Sequence, residues 1–148
     1  MKKLLFALTL FCSVSLYASA VDPSQQVLNA FHKFFPYAKD IKWSENSSLA
    51  GALFGVSFQQ GDMLCRITYD QEGNMLRSIR YYKEQNLPMQ VVKSIKEEYP
   101  VQQIFGVVEV TMNNMVNYYV TLEDKKSWID LRSDDAGNLY LKKIYHKG

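Results

Sequence analysis

Histidine and cysteine are nearly missing from this chain, with two of each in 148 residues. His32 and His146 stand far apart in sequence, and neither has a second histidine a helical turn away. The ligand set of a zinc site is therefore lacking. Cys12 lies in the N-terminal apolar run, which leaves Cys65 alone. A lone cysteine cannot form an internal disulfide, although it could pair between chains. Cys65 alternates with Ile67 in an apolar strand pattern and reads as a small buried hydrophobe, since a catalytic thiol needs a basic neighbour. There is no Gly-x-Ser-x-Gly elbow and no glycine-rich phosphate loop, and neither histidine sits beside a serine motif. Hydrolase chemistry thus lacks its nucleophile and base. The segments Asp70–Asn74 and Asp134–Asn138 lack the alternating ligands and distal glutamate of a calcium loop and read as hairpin turns. Glu97 and Glu98 read as solvating charge on an exposed helix side. The expectation is a protein that is not an enzyme, with no catalytic, cofactor-binding or metal-binding residues and no cofactor.

Long apolar runs are also scarce. The one present, Leu4 to Tyr17, follows the basic Met1-Lys2-Lys3 start and precedes Ala18-Ser19-Ala20. This is the three-part pattern of a secretory signal, with cleavage expected after Ala20. The run is short for a membrane span, which needs about 20 residues. Residues 1–20 are read as the signal peptide and 21–148 as one domain without a membrane span. The expected location is the periplasm or the exterior. Lys2 and Lys3 leave with the signal, so the 17 basic residues of the full chain fall level with its 15 acidic ones. A neutral chain without a basic block is a poor nucleic-acid binder, because that affinity rests on neutralising phosphates.

What is present is self-similarity. Shifting the chain by 64 positions superposes its landmarks without a gap. Val27 meets Val91, Phe31 meets Ile95, and Phe35-Pro36 meets Tyr99-Pro100. Phe54, Val56 and Phe58 meet Tyr118, Val120 and Leu122. Cys65 and Ile67 meet Ile129 and Leu131, Gly73-Asn74 meets Gly137-Asn138, and Tyr81 meets Tyr145. Two repeats follow, at about 21–84 and 85–148. Each begins with a helix signal. In the first, Asp22 can cap and Pro23 suits the first helical position; in the second, Asn86-Leu87-Pro88 starts the helix. Val27, Ala30, Phe31 and Phe34 recur at helical spacing, as do Val91, Val92 and Ile95. Period-two alternation marks the strands that follow. The expected fold class is α+β: a tandem duplication of a helix-plus-four-strand unit, with an antiparallel sheet and the helices packed on one face.

A sheet covered on one face leaves the other open. The residues between the apolar ones are candidates for that face: Arg66, Thr68, Arg80 and Tyr82 in the first repeat, and Tyr119, Asp130, Arg132 and Tyr140 in the second. Tyrosine and arginine are enriched at interface hot spots, so these eight residues form the candidate partner-binding face. In the last strand of each repeat, Arg77 and Lys143 interrupt the pattern and leave the parity open.

The helix spacing Val27-x-x-x-Phe31-x-x-x-Phe35-Pro36, then Ala38 and Trp43, the turn around Gly73, and Asn86-Leu87-Pro88 through Tyr99-Pro100 resemble the PepSY-like family. That family of small exported bacterial proteins is also described as β-lactamase-inhibitor-protein-like, or BLIP-like. The resemblance covers essentially the whole mature chain and implies a duplicated helix-plus-four-strand fold in the periplasm. It implies a non-enzymatic protein- or peptide-binding module, inhibitor-like in the manner of the fold's namesake, whose partner is a protein or peptide of the cell envelope. No loop here matches the namesake's inhibitory inserts residue by residue, and fold alone is a weak guide to function. The alternative function is a carrier or sensor for a lipid or glycan held between helices and sheet.

Overall fold

The computed structural model describes residues 21–49 and 51–148; the expected signal segment, with Cys12 inside it, lies outside them. Helix α1 (Gln25–Phe34) leads into strands β1 (Lys39–Ser48), β2 (Gly51–Gln60), β3 (Met63–Tyr69) and β4 (Met75–Tyr82). A single 3-10 turn (Glu84–Asn86) and helix α2 (Met89–Glu98) follow, then β5 (Gln103–Met112), β6 (Met115–Glu123), β7 (Ser127–Asp134) and β8 (Leu139–His146). All eight strands form one antiparallel sheet in sequence order.

This corrects the expected fold class. The described residues are mostly sheet with two helices of ten residues each, not a helix-plus-four-strand duplication with a helical layer on one face. β4 pairs directly with β5, so the sheet runs unbroken through the middle of the chain. Each helix buries only two side chains, Val27 and Phe31 in α1 and Val91 and Ile95 in α2. Two separate apolar clusters result. One gathers Val27 and Phe31 with Phe54, Val56, Phe58, Cys65, Ile67 and Tyr69. The other gathers Val91 and Ile95 with Val107, Tyr118, Val120, Leu122, Ile129 and Leu131.

The helix starts differ in detail from expectation. Ser24, not Asp22, caps α1: its hydroxyl accepts from the Val27 N–H at 3.3 Å and donates to the Gln71 carbonyl at 3.2 Å. A cap must reach the third residue beyond it, and Ser24 has that spacing. Pro88 itself takes the capping position of α2. Phe35 and Tyr99 end the helices, each just before a proline that disfavours helical geometry in its predecessor.

The hairpins explain how consecutive strands stay adjacent. Asn113 and Asn114 both have positive φ, at 50° and 60°, and form the two-residue loop between β5 and β6. That backbone matches the twist of the flanking strands. The β3–β4 turn is held by Asp70, whose carboxylate accepts from the Asn74 backbone and side chain, both at 2.8 Å. Gly73 in that turn has φ +84° and lies against α1, where an added Cβ would meet the Gln26 carbonyl oxygen at 2.9 Å. Asp134 and Asn138 make the same pair of bonds in the β7–β8 turn. Both turns are therefore tied to the protein and are not free loops.

Candidate functional site

Strand pairing assigns every side chain to a face. One row runs across all eight strands on the face away from the helices: Lys39, Gln59, Leu64, Tyr81, Val108, Tyr119, Arg132 and Tyr140. A second runs Lys42, Ser57, Arg66, Ile79, Val110, Asn117 and Asp134, and a third Ser44, Gly55, Thr68, Arg77, Met112 and Met115. Thr121, Asp130 and Lys143 pair in a shorter row on the same face. The structure thus brings Arg66, Thr68, Tyr119, Asp130, Arg132 and Tyr140 onto one open face.

Arg80 and Tyr82 are corrected. Arg80 pairs with Cys65 and with Glu109, and Tyr82 pairs with Val107, so both point to the helix side. The cause is an extra residue in β4: Thr68 pairs with Arg77 but the next residue, Tyr69, pairs with Met75, leaving Leu76 over. One extra residue reverses every side chain beyond it.

The reversal inverts the polarity of the sheet at its centre. On the helix side, β4 and β5 present Ser78, Arg80 and Glu109, between the two apolar clusters. On the open side they present Ile79, Tyr81, Val108 and Val110, all half-buried. Glu109 is 5% exposed. It accepts from Arg80 Nε at 3.0 Å, forms an ion pair with the same guanidinium, and accepts from the Tyr82 hydroxyl at 2.7 Å. A buried carboxylate needs such partners. Burial, and then the hydrogen bond to Glu109, push the Tyr82 phenol far above the usual tyrosine range. Burial likewise raises the Cys65 thiol, which keeps it protonated and poorly nucleophilic.

On the open face the aromatic and cationic groups are mutually ordered. The Arg132 guanidinium lies 4.3 Å from the Tyr140 ring centroid and donates to Asn117 Oδ1 at 3.3 Å. Arg66 lies 5.5 Å from the Tyr81 ring. Thr121 donates to Asp130 at 2.9 Å, which fixes that carboxylate beside the row. A groove of about 380 Å³ occupies the first-half end of the face, between Lys42, Arg66 and Arg77. A larger one of about 660 Å³ lies at the β6–β7 hairpin. Its polar groups already satisfy one another: Lys147 binds Glu123, and Asp124 accepts from Lys126, Ser127 and Gln102. These bonds, the Lys126 backbone N–H first, hold the Asp124 carboxyl down to about 2.

Among the described residues no group of histidine, cysteine and carboxylate side chains is placed to hold a metal ion. Sequence reasoning missed the Arg80–Glu109–Tyr82 cluster and the apolar strip. Glu109 inside the apolar run Val107–Val110 was the available signal: a carboxylate in a central strand needs a cation opposite it.

No protein-family model matches the chain, and no curated protein does. Solved structures match over most of its length. A BLIP-like protein from Bacteroides fragilis is 25% identical, with 88% of this chain and 92% of that one covered and a TM-score of 0.63. A DUF2874 family protein from Bacteroides uniformis is 14% identical, with 84% and 90% covered and a TM-score of 0.58. A protein from Bacteroides eggerthii whose name places it in the periplasm is 14% identical, with 85% and 90% covered and a TM-score of 0.57. None of these names an enzyme, and none carries the PepSY name expected from the sequence. No described helix is long and apolar enough to cross a membrane. The chain has a BLIP-like fold.

Proposed function

We propose that this is an exported, non-enzymatic module that binds a protein or peptide of the cell envelope through the open face of its sheet. The observation that carries the reading is the inverted polarity at β4 and β5. Ile79, Tyr81, Val108 and Val110 lie on the uncovered side, while Arg80 and Glu109 lie inside. Burying the Glu109 carboxylate while leaving apolar side chains half-exposed on the outer face costs stability unless something covers that face. Around the strip stand Arg66, Tyr119, Arg132 and Tyr140, the residue types that dominate interface energies. An apolar centre with a polar rim is the usual anatomy of a binding patch. The BLIP-like fold of the Bacteroides fragilis protein, whose name refers to an inhibitor of another protein, agrees with a protein partner.

The test is cross-linked capture from a periplasmic extract with the wild-type chain and with an Arg66→Ala/Tyr119→Ala/Arg132→Ala variant. The expected result is a defined partner captured by the former and lost with the latter. Unchanged capture by a folded triple variant would refute the surface. The alternative of a lipid or glycan held between helices and sheet has little support, because Val27, Phe31, Val91 and Ile95 fill that space with no exposed surface.

A further inference from the structure

The first-half end of the open face differs from the rest in charge. Lys42, Arg66 and Arg77 surround a groove floored by Gly55 and edged by the hydroxyls of Ser44, Ser57 and Thr68. Gly55 keeps the floor open, and a Cβ there would meet Ser44 Oγ at 2.6 Å. No carboxylate lines the groove. Along the row of Arg66 the first acidic residue is Asp134, four strands away, or roughly 19 Å at the usual strand spacing. None of the three cations has an ion pair with a described residue, and Arg66 lies over the Tyr81 ring.

In a chain of balanced charge, three cations without an ion pair, gathered beside the hydroxyls of Ser57 and Thr68, are set against an anionic partner. Two arginines also favour carboxylates or phosphates held in a planar, two-pronged way. The surroundings choose between the sources. Arg66 pairs across the sheet with Ile79, and Arg77 with Met112, which with Met115 forms an exposed apolar edge. A free anion has no use for that edge, but a protein segment carrying both acidic and apolar side chains does.

We propose that this end of the face receives an acidic, apolar-flanked segment of the partner protein, its Asp or Glu carboxylates seated between Arg66 and Arg77 with Lys42 closing the groove. The inference rests on the sheet-face reading and assigns the partner's chemistry.

Amide NMR spectra of residues 21–148 provide the test. The probes are a blocked hexapeptide of alternating glutamate and leucine, its glutamine–leucine counterpart, inorganic phosphate and a heparin hexasaccharide. The glutamate peptide should move the amides of Ser57, Thr68 and Arg77, and binding should weaken about tenfold between roughly 50 and 500 mM salt. Arg66→Glu/Arg77→Glu should weaken it by a further factor of about ten, or Arg66→Gln/Arg77→Gln by about three if charge reversal disturbs the fold. Lys93→Ala, an exposed cation on α2 away from the open face, should leave it within about twofold. Equal binding of the glutamine peptide would overturn the proposal. So would heparin or phosphate moving these amides when the peptide does not, or a charge reversal without effect in a folded variant. Partner capture that survives Arg66→Glu/Arg77→Glu but fails in Tyr119→Ala/Arg132→Ala would overturn the acidic-segment assignment and leave the sheet-face reading standing. Capture that survives both would remove both.

Discussion

Replacing Glu109 by alanine removes the one acceptor shared by Arg80 and Tyr82 at the centre of the sheet. The two donors respond differently. The Arg80 side chain is 42% exposed, so its guanidinium re-solvates, and the lost ion pair is worth about 1 kcal/mol or less. The Tyr82 hydroxyl is buried and loses its one acceptor among the described residues, which costs about 1–3 kcal/mol. Together these give a loss of about 3 kcal/mol. With a urea dependence of about 2 kcal/mol per molar, the unfolding midpoint should fall by about 1.5 M in equilibrium urea denaturation followed by circular dichroism. Glu109→Gln keeps an acceptor in place and should lose only about 1 kcal/mol. Tyr82→Phe removes the donor, and combined with Glu109→Ala it should cost about 1–2 kcal/mol less than the sum of the single changes. A Glu109→Ala loss below about 1 kcal/mol, or strict additivity with Tyr82→Phe, would refute the claim that this carboxylate organises the centre of the sheet.

Other expectations follow from single positions. The Tyr69 hydroxyl is buried without a hydrogen-bond partner, so Tyr69→Phe should stabilise the chain by about 1 kcal/mol in the same urea assay. Burial pushes the Tyr69 phenol up to about 12, above the unfolded value near 10. Its contribution is complete below about pH 10 and is lost as the pH rises toward 12, and Tyr69→Phe should flatten the alkaline fall in unfolding midpoint. Gly73→Ala meets both a positive φ and the Gln26 carbonyl, and a thermal melt should report a loss of about 2 kcal/mol. In acid the sign reverses. Burial pushes the Asp70 carboxyl up, but hydrogen bonds from Asn74 outweigh it and hold the group below its ordinary value. Its contribution is present above the ordinary aspartate range and is lost as the pH falls through the lowered value, so Asp70→Asn should reduce the acid sensitivity of the melting temperature.

The strands were legible because their alternation is clean where one face meets a helix. Phe54, Val56 and Phe58, and later Tyr118, Val120 and Leu122, lie inside as the period of two requires. The helix ends were legible from Phe35-Pro36 and Tyr99-Pro100, whose geometry is set by neighbours in the chain. The balance of helix and sheet was not. Apolar spacing reports which residues of a helix are buried, but not that two in each of these helices suffice, or that the sheet closes across the junction of β4 and β5. That pairing joins residues of strands separated by α2, and no local pattern encodes it. On the candidate face, six of the eight chosen residues share one side. Arg80 and Tyr82 do not, because the surplus residue in β4 reverses parity, and the interruption at Arg77 leaves that parity open without deciding it.

The same surplus residue links fold to proposed function. Without it, β4 would turn Ile79 and Tyr81 inward and Arg80 outward, extending the apolar clusters across the centre. Glu109 would then face no cation and β5 could not pair as it does. With it, the charged pair closes the inside and the apolar residues come out, next to a row that already carries Tyr119 and Arg132. A protein selected for stability alone gains nothing from that exchange, since a well-packed apolar pair equals or exceeds an ion pair whose carboxylate is buried. The exchange has value if the outer strip is covered when the protein works. Arg80→Met/Glu109→Leu with Tyr82→Phe separates these roles: it should retain or raise stability by urea denaturation while the open face keeps its side chains and its capture of partner. A loss of capture in a stable triple variant would mean that the inner pair sets the curvature of the face as well as its polarity.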